Sequence, residues 1–261
     1  MIFNFFEVIT LSGHSKWANI KHRKAAQDAK RGNLFQKLVR AIIIAAKEGG
    51  GDPAMNMRLK TAIERAKAVS VPMDNITRAI KRGTGELGDV TYDELTYEAY
   101  GPNGIAIIID VMTDNRNRTT PEIRALLTRN NGQMGEAGSV AWMFDRKGVV
   151  EVKGEGLDED ALMSCGLDAG MTDMEAVDGG YTLYCEPGDL DALQTALEQD
   201  KYVIENAEVS KIAKTPVEVT DVEAARKVVR LIDALEEHDD VQNVYSNLDL
   251  PDEVAAQLEA E

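Results

Sequence analysis

The sequence predicts an α+β protein, with an N-terminal helical domain followed by two ferredoxin-like α+β domains, one inserted in the other. Three observations predict it. Apolar residues before Gly85 recur at the i, i+4 spacing of amphipathic helices, with glycines where the helices stop. Beyond Gly85, short β-rich runs alternate with helical ones. Residues 148 to 210 then read strand, helix, strand, strand, helix, strand, the order of the split βαβ unit.

Each element has a local reason. Residues 16 to 31 are rich in Ala, Lys and Arg, and Leu34, Leu38 and Ile42 with Phe35, Val39 and Ile43 form apolar pairs that stop at Gly49-Gly50-Gly51. Asp52-Pro53 supplies an N-cap and a first-turn proline for a helix lined by Leu59, Ile63 and Ala66. Ser70 and Pro72 restart the pattern, and the next helix carries Ile76 and Ile80 and ends at Arg82-Gly83. Residues 94 to 100 and 105 to 112 are β-rich and flank GPNG, a hairpin turn by composition. Thr120-Pro121-Glu122 opens a helix that closes at Asn130-Asn131-Gly132. Strands are then expected at 148 to 153, 172 to 177, 180 to 186 and 202 to 210, with helices at 158 to 169 and 189 to 199. The tail adds a strand at 216 to 219, an amphipathic helix at 222 to 237 and a strand at 241 to 247.

That tail cannot bury both faces of a sheet alone, and neither can the hairpin and helix of residues 93 to 130. Together they would form one domain with the complete unit inserted between them. The expected organisation is a 1–12 extension, a basic helical domain at 13–85, an α+β domain from 86–138 with 206–250, an inserted acidic ferredoxin-like domain at 139–205, and a 251–261 tail.

Composition narrows the class. With 44% hydrophobic residues in 261, the chain can bury the cores of several small domains. Cys165 and Cys185 are far apart, with no CxxC and no further ligand nearby, which excludes a disulfide framework or zinc cluster and predicts a reducing compartment. MIFNFFEVITL at the start is apolar, but it is too short to span a bilayer and no basic residue precedes the apolar run, so neither a membrane helix nor a signal peptide is expected. A cytoplasmic location follows.

Charge is divided along the chain. Residues 13 to 84 hold 16 Lys and Arg against 5 Asp and Glu, whereas residues 85 to 261 hold 13 against 39, and the chain as a whole carries −16. Such asymmetry predicts a basic arm that meets a polyanion, carried by a body that does not. Within the body, residues 147 to 205 have 3 basic and 15 acidic side chains, a balance that repels nucleic acid and suits a protein-facing module.

The stretch GHSKWANIKHRKAAQDAKR, residues 13 to 31, concentrates the positive charge. At 100° per residue, Lys16, Lys21, Arg23, Lys24, Lys30 and Arg31 cover more than half of the helix circumference, and Ala18, Ala25 and Ala29 occupy the other side. An alanine face holds a helix to its body only weakly and is a poor membrane anchor. The cationic face suits a phosphate backbone, where each neutralised phosphate releases counterions. Trp17 has two readings, as a platform for an unpaired base or as an anchor into the helical core.

GHSKWANIKH at 13 to 22 resembles the opening of the YebC family, and further blocks agree in order: GGGDP at 49 to 53, NITRAIKRGTGE at 75 to 86, YEAYGPNG at 97 to 104, TDNRNRT at 113 to 119, GSVAWMF at 138 to 144 and DDVQNVYSN at 239 to 247. The resemblance covers almost everything from residue 13 onward. It implies three domains, the first helical, and a non-enzymatic role in gene expression. Some members are described as DNA-binding transcriptional regulators. Others, including the mitochondrial translational activator, are described as acting on translation through the ribosome, with relief of stalling at proline-rich stretches. Members begin with Met, one small residue and GHSKW, so residues 1 to 10 are expected to be an annotation artefact, with Leu11 in place of a start Met; a native N-terminal mass that includes Met1 would remove that expectation.

Other clusters carry two readings each. TDNRNRT precedes a helix and would expose Arg116 and Arg118 to phosphate, or pair them with acids of the body. Lys81 and Arg82 extend the basic surface, or simply complement a helix C-terminus. NGQMGEAG lacks the closing residues of a P-loop and the spacing of GxGxxG, and reads as a flexible connection. No nucleophile-base pair or HExxH is present among His14, His22 and His238 and the scattered carboxylates, so no catalysis, metal or cofactor is expected. The predicted nucleic-acid-binding residues are His14, Lys16, Trp17, Lys21, His22, Arg23, Lys24, Lys30, Arg31, Lys37, Arg40, Lys81, Arg82, Arg116 and Arg118. Expected partners are DNA or ribosomal RNA, with the ribosome or the transcription machinery behind them, and neither a membrane nor a small-molecule substrate. The lysine-rich character favours backbone and shape over base edges, which favours RNA. The alternative is a protein-interaction module whose acidic body recruits a partner.

Overall fold

The structure, a computed structural model, describes residues 28–88, 92–154, 156–177 and 179–259. Three helices come first: α1 (Asp28–Gly49), α2 (Met57–Ala68) and α3 (Met73–Gly83). Next come β1 (Asp93–Tyr100), β2 (Ala106–Thr113), α4 (Arg116–Arg129) and β3 (Gln133–Met134). A βαββαβ run follows as β4 (Phe144–Lys153), α5 (Glu159–Asp168), β5 (Met171–Val177), β6 (Gly180–Cys185), α6 (Leu190–Gln199) and β7 (Val203–Ala213). The chain closes with β8 (Val217–Glu218), α7 (Val222–Glu236), β9 (Val241–Ser246), β10 (Leu248–Asp249) and α8 (Asp252–Glu259). The architecture is α+β, and the described residues divide into two compact units, 28–140 with 226–244 and 141–225 with 245–259.

In the first unit, three helices pack around Ile42, Ile43, Leu59, Ile63, Val71 and Ile76. Gly32 lies within α1 and does not end it. Residues 28 to 49 form one helix, because a single interior glycine costs only about 1 kcal/mol relative to alanine. Helix α2 also begins later than Asp52-Pro53 suggests. Asp52 accepts from Ala54 N–H in a turn, while the cap is Asn56, whose Oδ1 accepts from Leu59 N–H at 3.1 Å. The Asn56 amide donates to Ala45 O at 2.7 Å and Gly50 O at 2.8 Å, so one buried side chain closes α1 and opens α2. At Gly83 a Cβ would lie 2.4 Å from Ile43 O and 2.6 Å from Ala46 Cβ, so only glycine permits α3 to approach α1 this closely.

The four-stranded sheet of this unit has the order β3-β1-β2-β9. Strands β1 and β2 pair antiparallel from Tyr100↔Ala106 to Asp93↔Thr113, joined by the GPNG turn in which Asn103 adopts a φ of 59° and Gly104 one of 74°. Helix α4 starts at Arg116, four residues before the expected Thr120-Pro121 opening. Asn115 is its cap, accepting from Arg118 N–H, and Pro121 lies inside the helix. Proline at that position looks like a helix start in sequence because first-turn prolines are common. Here, Thr120 donates its hydroxyl back to Arg116 O at 2.9 Å, which helps to hold the turn before the proline.

The second unit contains the four-stranded antiparallel sheet β5-β6-β4-β7, the strand order of the split βαβ unit. Val150, Val152, Leu162, Met171, Leu183, Cys185, Leu193 and Leu197 form its core. Val149, Tyr184 and Ile212 make a smaller cluster, since side chains one residue apart on a strand point to opposite faces. A short parallel pair, β8 with β10, and helix α8 complete this unit.

Candidate nucleic-acid interface

Seven of the sequence-predicted residues, His14, Lys16, Trp17, Lys21, His22, Arg23 and Lys24, lie outside the described residues. Lys30 and Arg31 fall on α1 in a stretch of which only the backbone is described. Lys37 and Arg40, two and three turns further on, are engaged internally. Lys37 Nζ donates to Glu236 O at the end of α7, and Arg40 donates to Asp239 O and lies 3.0 Å from Asp240 Oδ1. The Arg40 guanidinium also sits 5.9 Å from the Tyr92 ring centroid. These two cations fasten α1 to the α7–β9 turn. Lys81 and Arg82 occupy the exposed last turn of α3, where they complement the helix dipole.

Arg116 and Arg118 part company on the first turn of α4. Arg118 turns inward. Its Nη2 donates to Asp240 Oδ2 at 2.7 Å and to Asp114 Oδ1 at 3.1 Å, and Glu122 lies 3.9 Å away. The hydrogen bond and charge of Asp240 raise the guanidinium pKa further above its ordinary value. Asp240 is 1% exposed and also accepts from the hydroxyls of Thr119 at 2.7 Å and Thr113 at 3.1 Å. Burial alone would raise its pKa, but the hydrogen bonds from Thr119, Arg118 and Thr113 and the charge of Arg40 hold it below the usual carboxylate range. Arg116 stays exposed, on a helix whose 14 residues hold four arginines and one glutamate.

The glycine-rich segment after β3 is fastened, where the sequence reads as a flexible connection. Glu98 on β1 accepts from Gly138 N–H through one carboxylate oxygen and from Val140 N–H through the other, both at 2.6 Å, and its own carbonyl accepts from Gly135 N–H. Tyr100 adds a hydrogen bond from its hydroxyl to Ser139 O. Sequence reasoning missed Glu98 and Asp240 because their side-chain partners lie 40 or more residues away, and Asn56 because the carbonyls of Ala45 and Gly50 reach it only once the helices have folded together. The available signal was an acid on a strand, Glu98, beside apolar and aromatic neighbours. Among the described residues, no group of three or more His, Cys, Asp or Glu side chains could hold a metal ion, and no helix is long and apolar enough to cross a membrane.

The N-terminal domain of TACO1/YebC proteins matches residues 15–86, and the second and third domains match residues 92–248. The chain belongs to the TACO1/YebC family. Among its relatives, a "Probable transcriptional regulatory protein" of Chlorobaculum parvum is 56% identical over 252 residues, covering 96% of this chain and all of the relative. One of the same description from Halothermothrix orenii is 49% identical over 253 residues, with the same coverage. In structure, this TACO1/YebC chain resembles a conserved hypothetical protein of Aquifex aeolicus, with a TM-score of 0.83 and 42% identity over 91% of this chain and 98% of that one.

Proposed function

We propose that this TACO1/YebC protein is a non-enzymatic, cytoplasmic regulator of gene expression that binds nucleic acid through its N-terminal domain, with RNA of the translation machinery as the target. The observation that carries the reading is the charge division, 16 basic against 5 acidic side chains in residues 13 to 84 and the reverse balance beyond. A body of that sign keeps itself off a polyanion, so the basic segment sets the contact. Lysine-rich surfaces bind backbones without reading bases, which suits a structured RNA, and basic proteins around such an RNA suit the acidic body. Because Lys37 and Arg40 hold α1 to the body, the contact rests on the cations before residue 34 and on Lys81 and Arg82.

A second reading has a specific support, the description of its relatives as transcriptional regulators, and its target would be duplex DNA. Sedimentation of cell extract at two salt concentrations, with crosslinking and sequencing of the bound nucleic acid, separates the two. Salt-sensitive cosedimentation with ribosomes and recovery of ribosomal RNA support the translation reading. Recovery of promoter DNA with no ribosome association would replace it with the transcriptional one. Absence of both would leave the acidic body as a protein-recruiting module.

A further inference from the structure

Helix α4 presents a cationic surface that the N-terminal domain does not account for. Arg116, Asn117, Thr120, Arg124, Thr128 and Arg129 line an open groove of about 630 Å³ along it. Arg118 is taken up by three carboxylates, whereas no carboxylate among the described residues pairs with Arg116, Arg124 or Arg129. The one acid of the helix, Glu122, faces Arg118 and His238 instead. At 1.5 Å per residue, Arg116 and Arg129 stand about 20 Å apart along the axis, so the stripe could face several phosphates of one nucleic-acid segment.

One acceptor of this helix also lacks its usual partner. Pro121 has no N–H, so the carbonyl of Asn117, four residues earlier, lacks its helical donor, and Asn117 is one of the residues that line the groove. Thr120 and Thr128 line the groove as well, with their hydroxyl protons donated to Arg116 O and Arg124 O. Phosphate asks only for donors. The ribose of RNA adds a 2′-hydroxyl that donates as well, and a carbonyl without its helical donor is suited to it.

We propose that the α4 groove is a second RNA-binding surface, in which Arg116, Arg124 and Arg129 neutralise phosphates and the Asn117 carbonyl accepts from a ribose 2′-hydroxyl. It rests on the reading of the protein as an RNA binder, and extends that contact from the N-terminal domain to the body. The local positive charge of α4 stands against the acidic balance of the chain beyond Gly85, which confines nucleic acid to this stripe.

The test uses the full chain and a fluorescein-labelled 20-nucleotide RNA hairpin, with a DNA hairpin of the same sequence, titrated by anisotropy from 50 to 400 mM salt. Arg124→Gln with Arg129→Gln should weaken RNA binding roughly tenfold at 0.1 M salt and reduce the slope of log K against log salt by about 1.4 to 1.8. Arg146→Gln, an exposed arginine of β4, should leave both unchanged. Pro121→Ala, which restores an N–H to the Asn117 carbonyl, should keep the slope and lose the preference for RNA over DNA. Unchanged affinity and slope in the double variant, in a protein that loses binding on charge reversal of Lys21, Arg23 and Lys24, would overturn the groove and spare the proposed function. Equal binding of RNA and DNA by the unmodified protein would overturn the ribose assignment. No binding of the RNA hairpin by the unmodified protein would overturn both. Circular dichroism melts of each variant keep loss of fold from being read as loss of binding.

Discussion

Arg118 and Asp240, 122 residues apart, meet at 2.7 Å between the first turn of α4 and the turn after α7. Asp240 is buried and Arg118 is 44% exposed, so the pair closes a polar cluster at its solvent edge. Thr113 and Thr119 donate from beneath, and Arg40 approaches from α1 at 3.0 Å. One carboxylate therefore ties together three elements that the sequence places more than 70 residues from one another.

Replacing Asp240 with Asn should destabilise the protein by roughly 1–3 kcal/mol, because the threonine hydroxyls and Arg40 lose an ionised acceptor while Arg118 is partly compensated by water. The pH dependence follows from the direction of the shift. Asp240 titrates below its ordinary value of 3.8, so its stabilisation is fully present above that value and is lost as pH falls through the lowered one. Thermal melts between pH 2.5 and 7 should converge for the native protein and Asp240→Asn at the acid end. A gap that persisted there would place the effect elsewhere.

Glu98 is the fastening of the glycine-rich loop. Glu98→Ala strands the N–H groups of Gly138 and Val140 and should cost about 2–4 kcal/mol, with Glu98→Gln milder since its carbonyl can still accept one of them. Hydrogen exchange localises the outcome. Protection should fall at residues 138 and 140 first and leave the α5–α6 core untouched.

Gly83→Ala tests the approach of α3 to α1. A methyl group 2.4 Å from Ile43 O must push the helices apart, and about 1–3 kcal/mol of destabilisation is expected from chemical denaturation. Gly88→Ala serves as a contrast because its φ of 96° strains the backbone while nothing lies within 4 Å of the added carbon. It should cost a smaller amount through the backbone alone.

Arg40→Ala and a Lys21→Glu, Arg23→Glu, Lys24→Glu variant should separate stability from binding. Arg40→Ala removes the contacts with Asp239 O and Asp240 and should lower Tm with nucleic-acid affinity nearly intact. The charge-reversed variant should lose polyanion binding and keep its Tm. Parallel melts and anisotropy titrations decide it, and the opposite pattern would exchange the roles given to the two groups.

Much of the fold was legible because its signals are local. Helical spacing before Gly85, the GPNG turn and the βαββαβ order each depend on residues within one or two turns or strands. Boundaries were less legible. Asp52 and Asn56 are both cap residues, and what selects Asn56 is the carbonyls of Ala45 and Gly50, which the folded helix pair brings to it. Pro121 misled for a related reason, since the Thr120 hydroxyl already supports the turn in front of it.

By itself the sequence determined the α+β class, the division of charge and the family blocks, because periodicity, net charge and motif order are properties of the chain before it folds. Tertiary structure alone decided which cations are available. Lys37, Arg40 and Arg118 resemble Arg116 and Arg124 in composition, yet the first three meet carbonyls or carboxylates from distant segments and the other two face open groove. A charge is set by its side chain, whereas its use depends on what the fold places within a few ångströms of it.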